Sequence, residues 1–297
     1  MHLAKFTANY DEISSRLRWF ARLVERADAI YERLPREQRD AFYQLILYPV
    51  RGAALVNEMH LGGTSERAQK AYDQIQQETQ YYNEQLAGGK WRHMMSSNPR
   101  NRPALRKPQD GTNAATATVP GGKSVTADSG FISLEAEHPT RAHAEGGTDW
   151  KVIQGLGRSG DSIALLPTSA AVPAAAALEY DFRAAQAADA NVLVYCLPTQ
   201  PICAGMRLRC SVSVDSGEPR VLDIATGERS KEWSTNMLRA AAIGTTGTIP
   251  VAAGKHTLRL QPLDPGVVFD KVVIDLGGLK PTHLGPPATQ TPALERQ

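Results

Sequence analysis

Glu135 and Glu137, one residue apart in SerLeuGluAlaGluHis, are the first residues in this chain whose types and spacing could do chemistry. A glycosidase needs a pair of carboxylates, and in a strand residues i and i+2 point to one face. An exposed pair of this kind could also hold Ca²⁺, which takes hard oxygen ligands. A plainer reading outweighs both: an edge strand carrying solvated charge, or one glutamate satisfied by turn amides. No catalytic residue and no metal site is therefore assigned, and Glu135 and Glu137 stand as Ca²⁺ candidates only. Asp149, Asp161, Asp264 and Asp275 fall at turns, where Asx-type hydrogen bonds account for them.

The remaining reactive residues form no constellation. The seven histidines, His2, His60, His93, His138, His143, His256 and His283, contain no HxH or HExxH pair. There is no GxSxG elbow for a serine nucleophile. GlyLeuGlyArgSerGly at 155–160 resembles a dinucleotide loop, but a strand pattern follows it rather than a helix whose N-terminus could hold phosphate, so it reads as a hairpin turn. Cys196, Cys203 and Cys210 lie seven apart with no CxxC pair, which excludes zinc-finger and redox spacing. Three buried thiols in strands are expected, with one bridge among them as the alternative. No cofactor is expected.

Those residues must be positioned by two unlike halves. Residues 10–34 place Ile13, Leu17, Phe20, Leu23, Val24, Ala27, Ile30, Tyr31 and Leu34 at helical spacing. Pro35 suits the first turn of a second helix, whose Phe42, Leu45, Ile46, Tyr48 and Val50 make it apolar nearly all round and hence central. Pro49 is expected to kink that helix. Gly62-Gly63 ends it, and Thr64-Ser65-Glu66 starts a third that stops at Gly88-Gly89. Three helices joined by short turns predict a helical bundle over 1–95. Residues 96–128 are rich in Pro, Gly, Ser and Thr and read as a linker. From Phe131 the period becomes two, with strands expected at 131–137, 149–154, 161–166, 177–183, 190–197, 206–214, 220–225, 247–251, 256–261 and 267–275. Lys231 to Ala241 looks helical within them. The fold class is thus multidomain α and β: an N-terminal α-helical bundle, then an all-β, jelly-roll-like sandwich over 129–287. The run LeuGlyProProAlaThrGlnThrProAla and the end of the chain, 288–297, read as a disordered tail.

Composition narrows the partners. With 33 basic and 31 acidic residues in 297, the net charge of +2 gives no field that would draw nucleic acid or a membrane surface. No apolar run reaches the roughly 18 residues of a membrane span, and MetHisLeuAlaLysPheThrAlaAsnTyr lacks the apolar core of a secretion signal. Read literally the chain is cytoplasmic; as a piece of a longer precursor it is secreted or periplasmic.

Tyr81 to Met95, TyrTyrAsnGluGlnLeuAlaGlyGlyLysTrpArgHisMetMet, joins the two halves. Trp91, Met94 and Met95 follow a helix stop where bundle gives way to linker, and are expected to anchor the domain seam. Tyr48, Asn57, Tyr72, Tyr81, Tyr82 and Asn83 combine rings and amides that suit sugars and interfaces alike.

Both halves resemble one family in the same order, glycoside hydrolase family 115, the xylan α-1,2-glucuronidases. The resemblance is carried by LeuProArgGluGlnArgAspAlaPheTyrGlnLeuIleLeuTyrProVal (34–50), Asn57, residues 82–95 with GlyGlyLysTrp, Ser133 to His138, Trp150 with 155–160, Leu178 to Phe182, Pro198-Thr199, Trp233, GlyLysHisThrLeuArgLeu (254–260), LeuAspProGlyValVal and its continuation (263–275), and LeuGlyProPro (284–287). Members of that family carry an α/β domain and a catalytic (β/α)₈ barrel ahead of a helical bundle and a C-terminal sandwich, and this chain resembles the last two alone. The resemblance therefore implies a non-catalytic C-terminal part, inactive by itself, that supports the barrel, completes the substrate groove and takes part in a homodimer. On that reading Asn57, Tyr82, Asn83 and Lys90 are the substrate-groove candidates, and the partners are the barrel half and a xylan-derived oligosaccharide. The alternative is a free-standing carbohydrate-binding module for xylan or glucuronylated oligosaccharides. A module of that kind shows exposed aromatics on one face, and most aromatics of the β half fall in strand patterns that suggest burial.

Overall fold

The computed structural model describes residues 9–108, 130–158 and 160–289. The chain divides into two compact units, Met1–Gly122 and Lys123–Gln297.

The first unit is built from α1 (Glu12–Arg33), α2 (Arg36–Phe42), a π-helical turn (Tyr43–Leu47), α3 (Tyr48–Leu61) and α4 (Ser65–Glu84). Pro35 caps α2, and the Thr64 hydroxyl caps α4 by accepting from the Arg67 amide at 3.2 Å. After α4 the backbone turns left-handed at Ala87, Gly88 and Gly89, which closes the helix where the glycines predict. Pro49 falls in the first turn of α3, directly after the π turn. The wider turn relaxes the clash between the proline ring and the preceding carbonyls that a regular helix would impose.

This second helical run corrects the expected inner face. Tyr43 and Leu47 are buried, whereas Leu45 is 71% and Ile46 45% exposed. The inner stripe is buried Tyr43 and Leu47 continued by half-buried Arg51, four residues apart, because the tyrosine packs on other rings and the arginine reaches two carboxylates. Tyr43 and Leu47 cluster with Ala27, Tyr82 and Leu86, while Met59, Ala68 and Ala71 form a second small cluster. The start of the expected linker lies against the helices: Ser97 donates to Gln76 at 2.7 Å, and a His60 ring nitrogen bonds the Ala104 carbonyl at 2.7 Å. Residues 109–128 of that linker lie outside the described residues.

The second unit is a two-sheet sandwich in which every strand pairing is antiparallel. Its strands are β1 (Phe131–Glu135), β2 (Arg141–His143), β3 (Asp149–Ile153), β4 (Ser162–Leu166), β5 (Ala177–Ala184), β6 (Ala188–Cys196), β7 (Arg209–Val214), β8 (Arg220–Asp223), β9 (Ala242–Val251), β10 (Gly254–Pro262) and β11 (Val268–Asp275). One helix, α5 (Lys231–Arg239), interrupts them. The six-stranded sheet runs β3-β4-β11-β6-β9 with β1 also on β11, and the five-stranded sheet runs β2-β5-β10-β7-β8. Alternate residues of β5, β6, β7, β10 and β11 fill the space between the sheets.

Three features depart from expectation. β2 is absent from the strands expected, because ArgAlaHis is exposed and has no apolar alternation. β9 begins at Ala242 rather than 247, since pairing with β6, not side-chain pattern, holds Gly244 to Thr246 in the sheet. The run read as a disordered tail is ordered as far as it is described. Thr289 and Ser133 exchange bonds, the Thr289 amide donating to the Ser133 carbonyl at 2.9 Å and the Ser133 amide to Thr289 Oγ1 at 2.9 Å. Ser133 Oγ donates to the Pro286 carbonyl at 3.1 Å. Residues 283–289 thus form a strap over the outer face of the six-stranded sheet. Residues 290–297 lie outside the described residues.

Candidate functional site: a buried charge cluster and a tyrosine cavity

β11 reads ValPheAspLysValValIleAsp, with two charges set in an apolar strand. Its register against β6 shifts between Phe269 and Lys271. The extra residue of such a bulge re-aims neighbouring side chains. Phe269 and Val272 enter the core between the sheets, whereas Asp270 and Lys271, each only 1% exposed, do not join that cluster.

The strap and the β3–β4 turn cover the two charges. Lys271 Nζ lies 3.0 Å from Glu135 Oε1 and donates to the Pro286 carbonyl at 2.9 Å. Asp270 Oδ1 accepts the Arg158 backbone amide at 2.9 Å, and the Arg158 side chain donates to the His283 carbonyl. Glycine is required at position 157, where a Cβ would come within 2.7 Å of Asp270 Oδ1 and collide with the Asp161 carbonyl. Glu137 Oε1 accepts the Asp161 amide at 3.2 Å. Glu137 Oε2 and Ser162 Oγ are buried with no hydrogen-bond partner among the described residues. Burial pushes the Asp270 carboxyl up to about 6, against the opposing pull of the Arg158 amide. Burial raises the Glu137 carboxyl as well.

This geometry separates the two glutamates that the sequence sets side by side. Glu135 meets an ammonium and Glu137 a turn amide, so the first is an ion-pair partner and the second a turn anchor. Among the described residues no group of three or more His, Cys, Asp or Glu is arranged to hold a metal. The cation that Glu135 meets is Lys271. Asp270, Lys271 and Arg158 were missed by sequence reasoning, although two adjacent charges inside ValPheAspLysValVal are a signal of a bulge.

In the helical unit a cavity of about 270 Å³ opens beside Tyr31, Tyr43, Arg51, Glu78 and Tyr81. Tyr43 donates to Glu78 Oε2 at 2.5 Å, and Arg51 Nη1 donates to the other Glu78 oxygen at 3.0 Å. Arg51 Nη2 reaches Asp28 Oδ1 at 2.8 Å. Burial, and then Glu78, hold the Tyr43 hydroxyl above its ordinary range, so it stays a donor. The Tyr43 and Tyr81 rings meet edge to face with centroids 4.8 Å apart. These polar groups are turned on one another, which makes the cluster a scaffold for α1, α3 and α4.

Each expected groove residue has an internal partner. Asn57 accepts from Arg16 Nε at 2.5 Å and donates to the Ala53 carbonyl at 2.8 Å. Tyr82 is buried and accepts from Gln44 at 2.7 Å. Asn83 holds Met95 by two bonds of 2.9 Å, one to its amide and one to its carbonyl. Lys90 Nζ sits 5.0 Å over the Trp91 ring. Of the expected seam residues, Trp91 and Met95 pack against the helical core, and Met94 is 59% exposed. Among the cysteines Cys196 and Cys210 are buried but Cys203 is exposed, which corrects the expectation of three buried thiols: Cys203 lies in the connection between β6 and β7, not in a strand.

A helical unit followed by an antiparallel two-sheet sandwich is the class of protein these observations define. Residues 126–288, more than half of the chain, match the glycosyl hydrolase family 115 C-terminal domain, and the chain belongs to that family. No match was found among curated proteins. Among solved structures the chain is similar to BtGH115A, a family 115 4-O-methyl-α-glucuronidase with specificity for decorated arabinogalactans, at 28% identity and a TM-score of 0.66. That match covers 89% of this chain and 33% of the other, so the chain spans about a third of the enzyme's length. A family 35 carbohydrate-binding module from Clostridium thermocellum matches at 17% identity and a TM-score of 0.35, over 48% of this chain and 97% of the module. A family 6 module from Clostridium stercorarium in complex with cellobiose matches at 13% identity and a TM-score of 0.34, over 52% and 98% of the two chains. At scores that low neither likeness assigns a ligand.

Proposed function

We propose that this chain is the non-catalytic C-terminal part of a family 115 α-glucuronidase, serving a catalytic portion that removes 4-O-methylglucuronic acid from a decorated polysaccharide such as xylan or arabinogalactan. The observation that carries the proposal is the one-sided overlap with BtGH115A, 89% of this chain against 33% of that enzyme. The site chemistry agrees with it. A glycosidase keeps two carboxylates on either side of the scissile bond, while Glu135 is neutralised by Lys271 and Glu137 faces a turn. The described strands make two antiparallel sheets, not the parallel strands whose C-terminal ends carry a barrel's active site. Phe131, Tyr180, Phe182, Tyr195 and Phe269 are buried, which leaves the sandwich short of the exposed rings that stack on sugars. In this role Lys90, on the surface, contributes to the groove, and dimerisation accompanies assembly.

The test mixes the purified chain with a separately expressed remainder of a family 115 enzyme. The chain alone is expected to release no 4-O-methylglucuronic acid from xylan or arabinogalactan, and the mixture to co-elute and regain release. Turnover by the chain alone that persists through purification would overturn the reading, as would the absence of a complex at micromolar concentration.

A further inference from the structure

GlyLysHisThrLeuArgLeu opens β10, and its histidine sits in a setting that the proposed function does not use. His256 Nδ1 lies 2.8 Å from Asp215 Oδ2, and Nε2 lies 2.9 Å from the Ala252 carbonyl oxygen. An ionised carboxylate and a carbonyl are acceptors only. Neutral imidazole has one N–H, so it satisfies one of these partners and turns a lone pair on the other, whereas imidazolium donates to both. The ring has little room to turn away: its side chain is 10% exposed, and the Phe182 ring packs on it with centroids 5.3 Å apart. Asp215 is anchored independently. Its amide donates to the Thr257 carbonyl at 2.8 Å, and its Oδ1 accepts the Thr257 amide at 2.9 Å. These bonds hold it in the left-handed region at φ 53°, which aspartate tolerates better than most residues.

We propose that His256 is a proton-operated latch, which as imidazolium ties the β9–β10 connection at Ala252 to the β7–β8 turn at Asp215, and as neutral imidazole lets the connection go. The ring is held by β5 through Phe182, by the β7–β8 turn through Asp215, and by the β9–β10 connection through Ala252. Of these three, Asp215 alone brings a charge to it. Lys255 and Thr257, with their cross-strand neighbours Arg183 and Asp181 on β5, alternate to the opposite face of the sheet. The bond to Asp215 raises the His256 ring above its ordinary range, against the opposing pull of burial. When the proton leaves, Asp215 keeps its two bonds to Thr257 and the remaining N–H of the ring, so the Ala252 carbonyl is the partner that loses its donor. Because the folded ring binds its proton more tightly than the unfolded one, the latch contributes its full stability below about pH 6.5 and loses it as pH rises through the higher folded midpoint.

The test is a pH titration of the full chain labelled with ¹⁵N and ¹³C, followed by NMR on the histidine rings and the backbone amides, with His256 assigned by His256→Gln. At pH 6 both His256 nitrogens are expected to carry protons, and the ring to titrate above the roughly 6.5 of an unperturbed histidine. The Ala253 and Gly254 amides, next to the released carbonyl, should shift with the same midpoint. Asp215→Asn keeps an acceptor oxygen and a residue that tolerates the left-handed backbone, but removes the charge. In that variant the ring midpoint should fall and the Ala253 and Gly254 shifts should move with it. A His256 midpoint at or below 6.5, a single protonated ring nitrogen at pH 6, or Ala253 and Gly254 amides that do not follow the ring would each overturn the proposal. The wild-type titration decides these outcomes by itself, with His256 then assigned through bonds, should His256→Gln fail to fold.

Discussion

The two units solve the problem of a stable interior in opposite ways. The sandwich gathers 26 buried residues into one continuous cluster. Among the described residues the helical unit has two separate clusters, of five and three buried residues, and connects its helices with polar groups instead. Tyr43, Arg51, Asp28 and Glu78 join α1, α3 and α4 and the π turn by charge-assisted bonds, while Leu45 and Trp19 stay exposed at 71% and 52%. The sandwich has a polar cluster too, but it lies outside the apolar core, under the strap. In one unit polar chemistry joins the elements, and in the other it fastens a lid on elements already joined by apolar packing.

The largest way to break that contrast is to remove the fastening. Lys271→Ala removes the ammonium from Glu135 and leaves the Pro286 carbonyl to Ser133 Oγ. Stripping one member of a buried pair costs about 3–5 kcal/mol, so urea unfolding of the sandwich, followed by Trp150 fluorescence, is expected to shift strongly. Tyr43 and its neighbours belong to the other unit, and loss of tyrosine contacts there without a change in the sandwich would contradict the assignment.

A smaller effect tests the cost of burying charge beside the fastening. The folded Asp270 carboxyl titrates at about 6, above the roughly 3.9 of an unfolded aspartate. The folded state therefore binds the proton more tightly than the unfolded state, and ionised Asp270 opposes folding at neutral pH. That penalty is relieved as pH falls through 6 and is gone near pH 4, a gain of order 2 kcal/mol over the window. Asp270→Asn should flatten the rise in sandwich stability between pH 7 and 5. An unchanged slope in that variant would remove Asp270 as its source.

The smallest test falls on the helical unit. Tyr43→Phe keeps the ring against Tyr81 but deletes the 2.5 Å bond to Glu78. A hydrogen bond to a charged group contributes about 1.5–3 kcal/mol. Here the lower end, about 1.5 kcal/mol, is expected, since Glu78 keeps Arg51. Circular dichroism at 222 nm would read it as an earlier helical transition. No shift would mean that ring packing alone holds these helices.

Much of this architecture was legible in the residues. The alternation of β5 and β10, the Thr64 cap, the stop at Gly88-Gly89 and the hairpin at 155–160 each follow from a local rule, and local rules are readable one segment at a time. What escaped was set by partners far along the chain. β2 is a strand because β5 pairs with it, and the first half of β9 because β6 does. Leu45 and Ile46 lost the interior to Tyr43 because its four ring and carboxylate partners, Tyr31, Glu78, Tyr81 and Tyr82, lie on α1 and α4. The charge cluster was half visible: Glu135 and Glu137 drew attention as a pair, but their partners Lys271 and Asp161 sit 136 and 24 residues away, and no spacing rule connects them. The strap was hidden for the opposite reason, because a run rich in proline and threonine resembles a tail until Ser133, Lys271 and Arg158 are seen to hold its carbonyls.

That strap and β11 set a clock for synthesis. β1 is made early in the sandwich, yet its hydrogen-bonding edges are filled by β11 on one side and by Thr289, 156 positions later, on the other. At about 5–20 residues per second, a ribosome needs roughly ten to thirty seconds to cover that distance. Until β11 has been made, Phe131 to Glu135 has no native strand partner, and Lys271, when it emerges, can neutralise Glu135 only if β1 has stayed unpaired with anything else. Closure of the six-stranded sheet in this sense waits for its last-made segments, and a chaperone that shields a short apolar strand would act on Phe131 to Glu135 first.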